Sequence, residues 1–208
     1  MMKNAFLILL SFFLLNTNGF AQSSSYKGKN KAPVPANRNY NSDAPIKLKK
    51  ITIAKRVTVA LPEDFTMMPD EGIAAKYPAA RKPLGVYSSS NGQVDFSVNE
   101  KQTTFIDRDL PLVKDIYKAS ILRTFSEVQF IRDEIKTIDK KQMVVFEFVS
   151  TLKDENPNSN KAPVKKYTII QYYIKGGKVM IFTFNAPTLL KDKWQVSANK
   201  IMNSIKLS

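Results

Sequence analysis

Two apolar runs around Gly176-Gly177 constrain the fold more than any other feature of the sequence. The stretch from Lys165 to Asn185 reads KKYTIIQYYIKGGKVMIFTFN, and a Gly-Gly pair supplies the positive φ angles that a two-residue hairpin turn requires. The facing pairs are then Ile174–Val179, Tyr172–Ile181 and Ile170–Thr183 on one side, and Tyr173–Met180, Gln171–Phe182 and Ile169–Phe184 on the other. Because both sides are largely apolar, the sequence predicts that this hairpin lies in the middle of a sheet that is covered on both faces.

The first 21 residues have the organisation of a secretory signal peptide. Lys3 precedes an apolar run from Ala5 to Leu15, and the small-residue exit Gly19-Phe20-Ala21 follows. The run is shorter than the ~20 residues that a membrane-spanning helix needs. We therefore predict cleavage after Ala21, export to the periplasm or the cell exterior, and no transmembrane span in the mature chain. An uncleaved anchor is the alternative.

Residues 22–48 form a second segment, rich in serine, asparagine, proline and lysine. The segment has too few large apolar side chains to offset the entropy lost on ordering, so we predict a disordered linker. It is basic, as is the whole chain, whose formal net charge is +14. Four basic residues would tether the protein to anionic envelope material, unless the segment is only a solvated spacer. These residues are Lys27, Lys29, Lys31 and Arg38. Deleting residues 22–46 should leave stability almost unchanged.

Residues 49–208 are predicted to form a single domain of hairpins and helices. The predicted elements are a strand or kinked strand pair at 51–61, a short helix at 71–77, strands at 84–88 and 93–102 around Asn91-Gly92, a helix from Asp109 to Phe125, strands at 128–138 and 143–149 around a turn at 139–142, the Gly176-Gly177 hairpin, and a terminal helix from about Thr188. The fold class is therefore α+β. We expect an α/β/α sandwich, with a mainly antiparallel sheet of hairpins flanked by two long amphipathic helices.

Two of these elements predict the environment of single side chains. The strand at 93–102 alternates, which indicates one buried face and one solvated face. The solvated face would carry Gln93, Asp95, Ser97 and Asn99. At the start of the first long helix, Asp109 is a good N-cap and Pro111 suits the first turn. The buried stripe of that helix would be Leu110, Val113, Tyr117, Ile121 and Phe125.

The order of these elements and two sequence motifs are similar to those of a known superfamily. The domain opens with VTVALPEDFTMM, closes with WQVSANKIMNSIKL, and contains AKYPAARKPLGVYSSSNGQVDFSVN between them. From about Lys49 to Ser208 the chain resembles the PsbP/DcrB-like superfamily of α/β/α sandwiches. The resemblance implies a non-enzymatic binding or assembly module, and it brings no catalytic residues with it.

The composition excludes several chemistries. The sequence has no histidine and no cysteine, so it has no imidazole base, thiol nucleophile or zinc site of the usual kind. It also lacks a P-loop, a dinucleotide fingerprint and a nucleophile elbow, and we predict no cofactor. Asp107 and Asp109 could bind a metal or act as acid and base, although a helix cap also explains Asp109. The oxygen-rich loop from Asp154 to Asn160 lacks the glycine and glutamate of a calcium loop.

Two further groups are candidates for binding. Lys76, Arg81 and Lys82 lie beside a proline-bracketed connector and form either a second contact surface or a solubilising one. Five aromatic residues of the central hairpin form either a ligand-binding face or core. These are Tyr167, Tyr172, Tyr173, Phe182 and Phe184.

The sequence therefore favours an exported, non-enzymatic binding or assembly module of the cell envelope. We expect a monomer whose partner is an envelope protein or an anionic polymer. Specific nucleic-acid binding is not expected, because the positive charge comes without an RNA-binding motif and because the chain is predicted to be exported. The alternative is a small-ligand binder or a carboxylate-dependent hydrolase that uses a cleft between the layers.

Overall fold

The Gly176-Gly177 turn joins two inner strands of a seven-stranded antiparallel sheet. The computed structural model describes residues 46–76, 82–154 and 162–208. Its strands are β1 Leu48–Ile53, β2 Val57–Pro62, β3 Thr66–Met67, β4 Gly85–Ser88, β5 Asp95–Gln102, β6 Glu127–Ile138, β7 Lys141–Leu152, β8 Val164–Lys175, β9 Lys178–Pro187 and β10 Lys206–Leu207. Its helices are α1 Asp70–Lys76, α2 Leu110–Thr124 and α3 Lys191–Asn203, with short 3-10 turns at Asp107–Asp109 and Thr188–Leu190.

The predicted register of the central hairpin is confirmed at all six pairs. Gly176 and Gly177 have φ angles of 58° and 70°, the left-handed conformation that a two-residue turn between antiparallel strands requires. The sheet order is β3-β4-β5-β9-β8-β7-β6, so β8 and β9 both lie inside the sheet. Each therefore has a hydrogen-bonded strand on both sides, and the side chains on its two faces belong to two different hydrophobic clusters.

Each face of the large sheet has its own hydrophobic core. On one face, α2 packs against β6 and β7 through its predicted stripe, in which Leu110, Val113, Tyr117 and Ile121 are buried. On the other face lie α3, with Trp194, and the hairpin β1–β2. The layers are thus helix, sheet, and helix with a small sheet, which confirms the predicted α+β class with a mainly antiparallel sheet.

The small second sheet was not predicted. The hairpin β1–β2 is separate from the large sheet, and its strand β2 pairs with β10 to give the order β1-β2-β10. Strand β1 begins at Leu48, and both Ile46 and Leu48 pack against the core. The Lys47 carbonyl also accepts a hydrogen bond from the Glu63 N–H at 3.1 Å.

The prediction of a solvated face on β5 was wrong for three of its four residues. Asp95, Ser97 and Asn99 are 5%, 3% and 6% exposed, and only Gln93, which precedes the strand, is exposed. The strand lies inside the sheet, between β4 and β9. Burial of Asp95 is made possible by the hydroxyl of Ser88 and the amine of Lys76, which both contact its carboxylate.

Two local predictions also differ from the structure. The turn expected at 139–142 contains only Asp139 and Lys140, and β7 already begins at Lys141. Asp109 stands at the N-cap position of α2, but its carboxylate accepts a hydrogen bond from the N–H of Ile106 at 2.8 Å and makes none to the helix. Its side chain is therefore used by the 3-10 turn that precedes the helix.

Candidate functional site

A cleft of about 330 Å³ lies on the α3 side of the large sheet, beside the tip of the central hairpin. The volume falls within the range of small-ligand pockets. Its charged walls come from the turn after β1, from β5, from the start of β7 and from the two strand ends that flank Gly176-Gly177. The charged lining residues are Arg56, Glu100, Lys141, Lys175 and Lys178. The others are Tyr173, Met180, Leu207 and Ser208.

The hairpin register explains why one wall of the cleft combines positive charge with apolar surface. Tyr173 pairs with Met180, and both side chains lie on the face towards the α3 core, against which both pack. Two residues nearer the tip on each strand, Lys175 pairs with Lys178. The turn thus places two amines directly beyond a tyrosine and a methionine.

Glu100 is the negative charge at the base of the cleft. Its carboxylate pairs with the guanidinium of Arg56 at 2.6 Å and with the amine of Lys178 at 3.1 Å, and its side chain is 17% exposed. Burial acts to raise the pKa of Glu100, but the hydrogen bonds and charges of Lys178 and Arg56 outweigh burial and hold that pKa below its usual range. Glu100 is therefore ionised at neutral pH and neutralises part of the positive charge around it.

Lys175 gives the cleft an uncompensated positive charge. Its side chain is exposed, and within the described residues no carboxylate lies within ion-pair distance of its amine. Lys141, at the start of β7, contacts Asp139 at 3.4 Å. Four cations thus face one carboxylate in the lining, next to the apolar surface of Tyr173 and Met180. The arrangement suits a ligand that presents an acidic group beside an apolar one.

Of the seven basic residues predicted as contacts, only Lys76 and Lys82 lie within the described residues. Lys27, Lys29, Lys31, Arg38 and Arg81 lie outside the described residues. Lys76 pairs with the buried Asp95 at 2.6 Å and donates to the carbonyl of Gly92 at 3.0 Å. Lys82 pairs with Asp70 at 2.5 Å on the surface. The structure therefore gives Lys76 and Lys82 acidic partners within the domain, and neither residue lines the cleft.

The aromatic residues of the central hairpin divide between core and cleft. Four are buried at 2% exposure or less, which confirms the core interpretation for them. These are Tyr167, Tyr172, Phe182 and Phe184. Tyr173 alone of the five lines the cleft.

The candidate carboxylates Asp107 and Asp109 do not line the cleft. Among the described residues, no group of three or more carboxylates or other common ligands is arranged to hold a metal ion. Asp109 is engaged by the N–H of Ile106. Most of the oxygen-rich loop that follows Asp154 lies outside the described residues.

Solved structures share this architecture over most of the chain. The solution structure of cyanobacterial PsbP (CyanoP) from Synechocystis sp. PCC 6803 aligns with a TM-score of 0.51 at 12% identity, covering 85% of this chain and 100% of that one. The fold is PsbP-like. The Ran-binding protein Mog1p of Saccharomyces cerevisiae also aligns with a TM-score of 0.51, at 9% identity, covering 78% of this chain and 96% of that one.

The PsbP-like fold confirms the resemblance seen in the sequence, at the level of architecture. The sequence itself matches no family model and no curated protein. Within the part of the chain that the structure describes, no helix is both long and apolar enough to cross a membrane.

Proposed function

We propose that the protein is an exported, non-catalytic binding or assembly module of the cell envelope, and that the cleft around Lys175 holds an acidic group of its partner. The observation that carries the proposal is the charge of the lining, in which Arg56, Lys141, Lys175 and Lys178 face the single carboxylate of Glu100. The segment from Lys3 to Ala21 supports export. The basic linker residues Lys27, Lys29, Lys31 and Arg38 would add a second, weaker attraction to the same anionic surroundings.

A hydrolase that uses this cleft is less well supported. Acid–base hydrolysis by carboxylates needs two of them in the site with different proton affinities. Among the described residues Glu100 is the only one that brings a carboxylate side chain to the lining, and two cations keep it ionised. The chain also has no histidine or cysteine to take either role. Binding without chemistry is therefore the better use of the cleft.

The proposal is tested with the full chain and a Lys175→Glu variant, using fluorescent poly-L-glutamate as the probe. Lys175 is chosen because it has no ion pair within the described residues, so reversing its charge breaks none of the ion pairs described. Binding should weaken about ten-fold at low salt, and the difference should shrink near 1 M salt, where the Debye length is about 3 Å. Lys50→Glu is the matched control, since Lys50 is exposed and does not line the cleft.

Two outcomes would contradict the proposal. Equal losses in Lys175→Glu and Lys50→Glu would mean that the probe responds only to net charge. Full affinity in Lys175→Glu would move the contact surface away from the cleft. Circular dichroism of both variants would check that each keeps the fold of the unsubstituted protein.

A further inference from the structure

The short strand β10 leaves an open strand edge at the cleft. It pairs with β2 on one side, with Lys206 opposite Thr58 and Leu207 opposite Val57. In the order β1-β2-β10 it is an edge strand, and within the described residues no strand pairs with its other side. Unpaired N–H and C=O groups at such an edge are a template for another extended chain.

The hydrogen bonds of β10 show which main-chain groups are free. The N–H of Ser208 donates to the carbonyl of Arg56 at 3.0 Å. That bond flanks the pair Leu207–Val57, so this pair is of the type whose own N–H and C=O groups do not bond to each other. The N–H and C=O of Leu207 therefore point away from β2, towards the open side of the strand.

This open edge and the charged wall belong to the same cleft. Leu207 and Ser208 line it together with Tyr173, Lys175 and Lys178 of the central hairpin. An extended chain lying in the cleft would have the main-chain groups of Leu207 on one side and the hairpin amines on the other. Its apolar side chains would contact Tyr173 and Met180.

We infer that the ligand of the cleft is an extended, acidic peptide segment of a partner protein, which adds to β10 as a further strand of the small sheet. The inference rests on the proposed function and specifies the partner. A polyanion without a peptide backbone can use the amines but not the free N–H and C=O of Leu207. A peptide uses both, and strand addition gives affinity through the main chain and specificity through alternate side chains.

The test begins with the tightest binder from a library of peptides of about nine residues, with acidic and apolar side chains at alternating positions. Two versions are then made, one N-methylated at odd positions and one at even positions. Side chains and charge are unchanged in both. Since only one edge of the peptide faces β10, one version should bind about ten-fold more weakly, and the other should bind within about two-fold of the parent.

Hydrogen exchange gives a second readout in the full chain. Binding of the parent peptide should slow exchange of the Leu207 amide, and the more weakly binding methylated version, at equal occupancy, should not. Exchange of the Lys50 amide, on β1 at the other edge of the small sheet, is the control and should not change.

The outcomes separate this inference from the proposed function. If both methylated peptides bind as the parent does, but Lys175→Glu still weakens binding, the cleft is an acidic-ligand site and strand addition is wrong. If no library peptide binds while binding of polyphosphate, a polyanion without a peptide backbone, still depends on Lys175, the ligand is recognised by charge alone and the strand-addition mode is overturned. If Lys175→Glu changes neither kind of binding, both proposals fail.

Discussion

The carboxylate of Glu147, on β7, accepts a hydrogen bond from the hydroxyl of Tyr167, on the adjacent strand β8, at 2.8 Å. Both residues are 0% exposed. Gln195 of α3 donates to the same carboxylate at 2.7 Å, and Arg132 of β6 does so at 2.8 Å. Arg132 also donates to Asn199 of α3 at 2.8 Å. The network therefore attaches α3 to the sheet through one buried negative charge.

Replacing Glu147 by glutamine should destabilise the protein by about 2–4 kcal/mol, because the shape is kept while the charge that pairs with Arg132 is lost. Urea unfolding measures the loss. The matched control is Glu134→Gln. The Glu134 carboxylate lies 3.7 Å from the Arg132 guanidinium, and its side chain is 44% exposed. The control should cost less than about 0.5 kcal/mol. Similar small losses in both variants would mean that the buried network does not stabilise α3.

Stability should fall at alkaline pH because of the stacked tyrosines under α2. The rings of Tyr117 and Tyr172 lie 3.9 Å apart with 11° between their planes. Burial raises the pKa of Tyr117 from 10.0 to about 12, and burial together with Tyr117 raises the pKa of Tyr172 well above its usual value. Between pH 10 and 12 the unfolded chain releases protons that the folded chain keeps, so stability is complete below pH 10 and is lost as pH rises.

The Tyr117→Phe variant tests this prediction by thermal or urea unfolding from pH 8 to 12. From pH 8 to 12 its free energy of unfolding should fall by roughly 2–3 kcal/mol less than that of the unsubstituted protein. Burial lowers the pKa of Lys101 and of Lys166 from 10.5, so these two residues make the folded protein more stable as the pH rises. That gain in stability is complete once the pH exceeds 10.5. If the free energy of unfolding falls with pH as steeply in Tyr117→Phe as in the unsubstituted protein, Tyr117 is not a source of the pH dependence.

The central hairpin was predictable because all of its information is local. The Gly176-Gly177 turn fixes the register, and the strand period of two then assigns each side chain to a face. The pairing of β10 with β2 was not predictable in this way. Alternation shows that residues 57–61 form a strand, but it does not identify a partner about 150 residues further along the chain.

Only part of the cleft could be predicted from the sequence, for the same reason. Lys175 and Lys178 flank the predicted turn, so their proximity follows from the register. Arg56 and Glu100 come from two other hairpins, and nothing local places them beside that turn. The buried Asp95 was misjudged because its compensating charge, Lys76, lies on a different element.

The turn between β6 and β7 offers a stabilising substitution. Asp139 and Lys140 have φ angles of 47° and 62°, a left-handed conformation that glycine, asparagine and aspartate tolerate better than lysine does. Lys140→Gly would create the Asp-Gly sequence that such turns prefer, and should raise the free energy of unfolding by about 0.5–1 kcal/mol. Thermal unfolding measures the gain. A loss of stability would mean that the lysine side chain contributes more than its backbone strain costs.

The reverse substitution in the central hairpin is the matched control. Gly177 has a φ angle of 70°, and an added Cβ would approach nothing nearer than the carbonyl of Thr103 at 3.8 Å. Gly177→Ala should therefore cost about 1 kcal/mol through backbone conformation alone. We expect Lys140→Gly to raise the free energy of unfolding and Gly177→Ala to lower it.

Deletions that end at different residues should separate the linker from the domain. Removing residues 22–44 should leave the free energy of unfolding within about 0.5 kcal/mol, because this segment has few large apolar side chains and because Ile46 is the first of the described residues that packs against the core. Extending the deletion through Leu48 removes two packed apolar side chains and the first residue of β1, and should cost about 1–3 kcal/mol. The deletion of residues 22–46 suggested by the sequence would also remove Ile46, which packs against the core, so the deletion that ends at residue 44 is the cleaner test of the linker.

The shorter deletion also tests the linker as a tether. Without Lys27, Lys29, Lys31 and Arg38, association with anionic vesicles should weaken most at 0.01 M salt, where the Debye length is about 30 Å, and the difference should vanish near 1 M. Co-sedimentation measures the association. If the shortened chain sediments as strongly as the full chain at low salt, residues 22–44 are a spacer, and the electrostatic attraction must come from the domain. Lys175→Glu in the shortened chain then shows whether the cleft supplies that attraction.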